Sequence, residues 1–135
     1  MDRDKLLKKI DSFNDELINM RRHIHAHPEL SGLENQTAIL ISGFLKNIGW
    51  RVTESIGRTG VVADFGPKDK GFIGLRVDMD ALPIYENTNL SFSSKNDGVM
   101  HACGHDIHTC IGLGVAKIIK DLKLKFGTRI IFQPA

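Results

Sequence analysis

The densest group of potential metal ligands in the sequence lies between positions 101 and 108. It contains three histidines, one cysteine and one aspartate, namely His101, Cys103, His105, Asp106 and His108. Imidazole and thiolate groups bind zinc and other borderline transition metals. Gly104 lets the backbone turn so that Cys103 and His105 can reach one ion. We predict a metal site with Cys103 and His105 as ligands, rather than a polar turn before a helix.

The remaining members of this group are compatible with several roles. His101 and His108 could bind the metal, support a ligand from outside the coordination sphere, face a substrate or be exposed. Asp106 lies at the start of a predicted helix, where it could cap the helix or orient a ligand histidine.

Two carboxylates, Asp78 and Asp80, follow an apolar segment that is typical of a strand. If the backbone remains extended, their spacing places both side chains on one side. Carboxylates at the end of a strand can orient a metal-bound histidine or bind an ion. A solvated acidic turn that ends at Pro83 explains the pattern equally well.

A further group of histidines, His23, His25 and His27, lies at the end of a predicted helix. Positions 23, 25 and 27 do not share a helix face, because helical neighbours are three or four residues apart. We interpret these histidines as part of a helix terminus and the turn after it.

Thiol catalysis is a competing hypothesis for the main group. Cys103 would be the nucleophile of a hydrolase, with His101 or His105 as its base. An alkylating agent would block such a site and a chelator would not, whereas a metal site is sensitive to chelators.

The elements that must position these residues follow from apolar periodicity. Helical spacing predicts a helix over roughly the first 25 residues that ends at His27-Pro28, and a second helix that ends before Gly49. Ser31 to Glu34 resembles a capping box for that second helix. A third helix starts near Asp106.

Apolar and alternating segments predict strands at 50–54, 60–65, 72–77 and 128–132, with a short edge strand at 90–93 and a turn at Asp97-Gly98. One helix lies between two apolar strands, which favours a parallel crossover. The pattern predicts an α/β fold with a mixed sheet and flanking helices.

Composition restricts the class of protein. The 135 residues are 41% hydrophobic and 25% charged, with a net charge of +2. This is typical of one globular domain and gives no indication of a nucleic-acid or membrane partner. The chain has no apolar leader, and its two cysteines are only seven positions apart, so we expect a cytoplasmic protein without a disulfide framework.

Four segments together resemble the M20 metallopeptidase family, and in particular its amidohydrolase branch of N-acyl-amino-acid, hippurate and auxin-conjugate hydrolases. These segments occur in the family's order and cover residues 21–31, 75–84, 100–109 and 132–135. The resemblance implies the N-terminal part of a zinc-exopeptidase-like catalytic domain.

The resemblance also implies roles for individual residues. Cys103 and His105 would bind the metal, Asp80 would be the orienting carboxylate, and Asp78 would occupy the position of a ligand histidine. In the family, two glutamates follow the segment that matches Phe132 to Ala135, and this chain ends there. We therefore expect residues 1–135 to be a truncated catalytic domain, without the general base, the remaining ligands or the dimerisation domain.

The implied activity is metal-dependent hydrolysis of the amide bond of small N-acyl amino acids, with zinc or manganese and one or two ions in a complete enzyme. We expect this chain alone to be inactive, and to pair with the rest of the enzyme or to self-associate through an exposed sheet edge. A non-catalytic remnant or binding module is the alternative.

Overall fold

A computed structural model of the protein describes residues 3–67, 69, 71–124 and 126–135. These residues form four helices and four strands in the order α1 (Arg3–Asp11), α2 (Asn14–Ala26), α3 (Asn35–Asn47), β1 (Arg51–Ile56), β2 (Gly60–Phe65), β3 (Phe72–Asp78), α4 (His105–Asp121) and β4 (Gly127–Gln133). None of the helices in these ranges is long and apolar enough to cross a lipid bilayer.

The four strands form one mixed sheet in the order β1-β2-β4-β3. β1 pairs with β2, and β2 with β4, in antiparallel orientation, whereas β3 and β4 are parallel. α4 connects the two parallel strands. The predicted mixed α/β fold with a parallel crossover is therefore confirmed.

One face of the sheet forms the core. Buried strand residues pack there against α3 and α4, and the core consists of Ile41, Leu45, Trp50, Val61, Ala63, Val77, Met79, Leu113, Ala116, Ile119, Ile130 and Phe132. α2 contacts α4 and is one helix further from the sheet. α4 packs on β3 and β4, and the candidate site lies at the carboxyl ends of these two strands.

The predicted single helix over the first 25 residues is wrong in one respect, since the structure divides it into α1 and α2 (its first two residues lie outside the described ranges). Phe13 leaves helical geometry, with φ −131° and ψ 12°. Its ring is buried, and the Lys117 ammonium group of α4 lies 5.4 Å from the ring centre. The break between α1 and α2 therefore coincides with a buried aromatic side chain that contacts α4. The predicted end before Pro28 is confirmed.

The predicted capping box of α3 is also wrong. Ser31 makes no capping hydrogen bond, and Glu34 turns inward, where its carboxylate accepts hydrogen bonds from the Gly32 amide at 3.0 Å and the Thr59 hydroxyl at 2.6 Å. Glu29 caps the helix instead. Its carboxylate accepts hydrogen bonds from the amides of Gln36 and Thr37 at 3.0 and 2.8 Å.

The predicted edge strand at 90–93 is a turn, in which the Ser93 amide donates to the Leu90 carbonyl at 3.0 Å. The turn at Asp97-Gly98 is confirmed, with Gly98 at φ +73°. The other predicted strands agree with β1 to β4 to within two residues at each end.

Close packing of α4 on the sheet requires a glycine at position 112. A Cβ there would lie 2.7 Å from Val77 Cγ2 and 3.0 Å from Phe132 Cε1, whereas a Cβ at Gly43 of α3 would have no neighbour within 4 Å. We expect Gly112→Ala to lower the free energy of unfolding by about 1–3 kcal/mol, because it overpacks the core. Gly43→Ala should raise it by about 1 kcal/mol through helix propensity. Urea denaturation measures both, and a neutral Gly112→Ala would contradict the packing described.

Substitutions of Glu29 and Ser31 distinguish the observed cap of α3 from the predicted capping box. Glu29→Ala should lower the free energy of unfolding by about 1 kcal/mol, because two amides at the start of α3 lose their acceptor. Ser31→Ala should leave it unchanged. Thermal unfolding followed by circular dichroism compares the two variants, and a larger loss for Ser31→Ala would restore the capping box.

Candidate functional site

The candidate site lies where the carboxyl ends of β3 and β4 meet the first turn of α4. The pairing of these strands continues past Asp78, since the Met79 amide donates to the Gln133 carbonyl at 3.1 Å. The Ala135 amide then donates to Asp80 Oδ1 at 2.8 Å. In open α/β sheets this edge is where ligands bind.

Asp80 and His105 form a hydrogen-bonded pair in the site. Asp80 is buried, and His105 Nδ1 lies 3.0 Å from its carbonyl oxygen and 3.1 Å from its Oδ1. Both oxygens accept hydrogen bonds, so Nδ1 must be the donor. In the neutral ring this leaves Nε2 with a free lone pair, which is the form of histidine that binds metals.

Asp78 contacts a different histidine. Its carboxylate forms an ion pair with Arg76 at 2.7 Å and lies 3.8 Å from His108 Nδ1. The same nitrogen accepts a hydrogen bond from the Asp78 amide at 3.1 Å. Asp80 thus contacts His105, and Asp78 contacts His108. These two histidines lie on the first turn of α4, and their ring centres are 6.5 Å apart.

Both cysteines are free thiols, but they differ in environment. Cys103 is exposed, and no hydrogen bond within the described ranges joins it to His101 or His105. Cys110 is buried in α4, and burial together with the nearby Asp106 carboxylate raises its pKa to about 12. The nucleophile-base contact that thiol catalysis needs is not formed in this part of the chain.

Asp106 is completely buried and does not cap α4, whose N-cap is Gly104 in the left-handed conformation at φ +79°. Its Oδ2 lies 2.7 Å from His25 Nδ1 and 2.8 Å from Arg21 Nε, both on α2. His25 lies in the last turn of α2, as predicted, but its side chain is only 3% exposed and takes part in a buried contact that was not predicted from the sequence. Arg21 and His25 are four residues apart, a spacing that could have indicated their common face.

Glu86 completes this group from the other side. Its Oε1 lies 3.2 Å from His25 Nε2, and its Oε2 accepts a hydrogen bond from the Ser94 amide at 2.6 Å. Burial favours the neutral form of Glu86, but hydrogen bonds from Thr88, Ser94 and His25 outweigh it and lower its pKa to about 2. We call Arg21, His25, Glu86 and Asp106 the His25 network.

His101 lies between the two groups. It is 4% exposed, its ring centre is 6.3 Å from that of His25, and neither of its nitrogens has a hydrogen-bond partner among the described residues. Burial lowers the pKa of His101 to about 4, although the Asp106 carboxylate opposes the change. Burial therefore favours the neutral form of the His101 imidazole.

The candidate site provides only some of the ligands that a divalent metal ion needs. Cys103 and His105 are of the right chemical type, and the Asp80 contact presents His105 Nε2. Across the part of the chain that the structure describes, however, no three histidine, cysteine or acidic side chains come together closely enough to hold an ion. A stable site would need further donors.

Comparison with known proteins gives one consistent result. Residues 74–135 match the peptidase family M20/M25/M40. The N-acetyl-L-cysteine deacetylase of Bacillus subtilis is 44% identical over 93% of this chain, and the hippurate hydrolase of Campylobacter jejuni is 46% identical over 96% of it. A crystal structure of YXEP from Bacillus subtilis, a dinuclear metal binding peptidase from the M20 family, matches with a TM-score of 0.86 at 46% identity over 93% of this chain.

The matches to these three proteins cover more than nine tenths of this chain but only part of each relative. The chain spans 31% of the deacetylase, 34% of the hippurate hydrolase and 36% of the YXEP chain. It thus corresponds to about a third of the length of the proteins it is similar to.

The environments of the two thiols predict different reactivity. Iodoacetamide should modify Cys103 in the folded chain and leave Cys110 unmodified, because the second thiol is buried and has a pKa of about 12. Mass spectrometry should detect one adduct before unfolding in urea and two after it. Cys103→Ser should show no adduct in the folded state, and rapid labelling of Cys110 would contradict the described burial.

Proposed function

We propose that this chain, of which residues 74–135 match the peptidase family M20/M25/M40, is part of the catalytic domain of a metal-dependent amidohydrolase of N-acyl amino acids. The deacetylase and the hippurate hydrolase, by name, both act on such compounds. The substrate would be a small N-acyl amino acid, and its acyl group is left open.

The observation that carries this proposal is the contact between Asp80 and His105. A buried carboxylate that accepts from Nδ1 fixes the ring and leaves Nε2 available, which is the usual arrangement behind a metal-binding histidine. Cys103, two residues earlier, is exposed and free to provide a thiolate. Both lie at the sheet edge where α/β enzymes bind ligands.

We propose that Cys103 Sγ and His105 Nε2 hold zinc or manganese, and that Asp80 orients His105. When bound, such an ion polarises the scissile carbonyl and lowers the pKa of a water molecule. Asp78 would stabilise the first turn of α4 through His108. The proton-accepting glutamate and the remaining donors would come from the two thirds of the relatives' length that this chain does not match.

It follows that the chain alone should bind metal weakly and not turn over substrate. Two protein donors are fewer than the three that catalytic zinc sites use. An exposed edge strand, β3, on which Ile73 is 60% exposed, would contact the rest of such a domain.

A chimeric enzyme tests the proposal directly. This chain would replace the matched third of the Campylobacter jejuni hippurate hydrolase, and hydrolysis of hippurate would be measured with zinc or manganese added. We expect metal-dependent hydrolysis that a chelator abolishes. Asp80→Asn in the chimera should lower the rate by about tenfold to about a hundredfold, because His105 loses the partner that orients it.

The matched control is His23→Gln, an exposed histidine outside the site, which should leave the rate unchanged. A folded chimera that is inactive with either metal would count against the proposal. Activity that survives chelation but not alkylation of Cys103 would favour the thiol nucleophile instead. Metal-dependent turnover by the 135-residue chain alone would overturn its proposed inactivity.

A further inference from the structure

We propose that His25 is a positioning residue of the candidate site, which through Asp106 fixes the first turn of α4 and with it the orientation of His105. The part of this proposal that concerns a metal rests on the proposed function. The part that concerns the orientation of His105 does not. Neither the family match nor the relatives' names assign a role to this residue.

His25 lies between two carboxylates. Nδ1 lies 2.7 Å from Asp106 Oδ2, and Nε2 lies 3.2 Å from Glu86 Oε1. All three side chains are at least 96% buried, so water does not compete for these contacts. His25 therefore joins three separate segments, namely α2, the loop that contains Glu86, and α4.

At its first turn, α4 has two faces that contact different elements. His105 and Thr109 face the end of β3, where His105 contacts Asp80 and the Thr109 hydroxyl donates to the Asp78 carbonyl at 3.3 Å. Asp106 and Cys110 face α2. Since Asp106 directly follows His105, the contact with His25 holds the opposite side of the turn that presents His105.

Gly104 provides no restraint of its own. It is the N-cap of α4, in the left-handed conformation at φ +79°, and it has no side chain that could cap the helix. A helix start without a capping side chain frays easily. The His25 network replaces the cap with a tertiary contact.

The loop that contains Glu86 closes over the network. Phe92 lies edge-on to His25, with ring centres 5.5 Å apart, and the guanidinium of Arg21 lies 5.0 Å from the Phe92 ring. The Lys95 amide also donates to the Ala26 carbonyl at 2.9 Å. The loop and α2 therefore hold His25 from two directions, which leaves it little freedom to follow movements of α4.

Cobalt(II) binding by the complete 135-residue chain provides the first test. The absorption band of a thiolate-cobalt bond reports the contribution of Cys103. We expect His25→Gln and Asp106→Asn each to weaken cobalt binding by about tenfold to about a hundredfold, as loss of a supporting partner does at other metal sites. The effects of the two substitutions should not add up in the double variant, because each of them breaks the contact between His25 and Asp106. His23→Gln, on the same helix, should bind as the unmodified chain does.

Nitrogen NMR of the imidazole rings provides a second test that needs no metal. In the unmodified chain His105 should carry its proton on Nδ1, as the Asp80 contact requires. In His25→Gln it should show a mixture of both tautomers, because the turn is no longer held. Near-ultraviolet circular dichroism of Trp50 would verify that the variant is folded. If it is not, Glu86→Gln, which removes only one of the two carboxylate contacts, takes its place.

The outcomes separate the two proposals. If His25→Gln keeps both the Nδ1 tautomer and the cobalt affinity, or if His23→Gln loses as much of either, His25 is not a positioning residue. If the unmodified chain gives no thiolate-cobalt band but the tautomer of His105 changes as expected, the metal site fails and the positioning role stands.

Discussion

Parallel pairing of β3 with β4 is the constraint on which the candidate site depends. Because parallel neighbours need a crossover, α4 must return across the sheet, and its first turn comes to lie beside the carboxyl ends of both strands. That placement brings Asp80 to His105 and Asp78 to His108, although 25 and 30 residues separate the members of each pair. Gly112 permits the close approach of α4 that makes these contacts short.

Elements whose signal is local could be predicted from the sequence. β2 agrees with the predicted strand, and α4 begins one residue before its predicted start at Asp106. Gly104 has a left-handed backbone, which permits the turn predicted there. The capping box failed because Ser31 and Glu34 have the right spacing, yet Glu34 has a buried partner in Thr59 and Glu29 supplies the cap. Local spacing cannot distinguish between these partners.

Only part of the candidate site could be predicted from the sequence. The donors at positions 101 to 108 stand out by residue type, but the role of His25 depends on Glu86 and Asp106, which are 61 and 81 positions away. A histidine with distant partners has no signature in the periodicity of its own helix. Buried ionic groups of this kind contribute little net stability, since desolvation offsets their attraction, and their value lies in specifying one geometry.

The separation of 81 positions between His25 and Asp106 also has a consequence for how the chain folds. Closing so long a loop costs chain entropy before any contact is gained, so contacts of this kind form late and slow the folding of a domain. α3 and the β1-β2 hairpin involve neighbouring segments and can form earlier. We therefore expect the contact between His25 and Asp106 to form after these local elements.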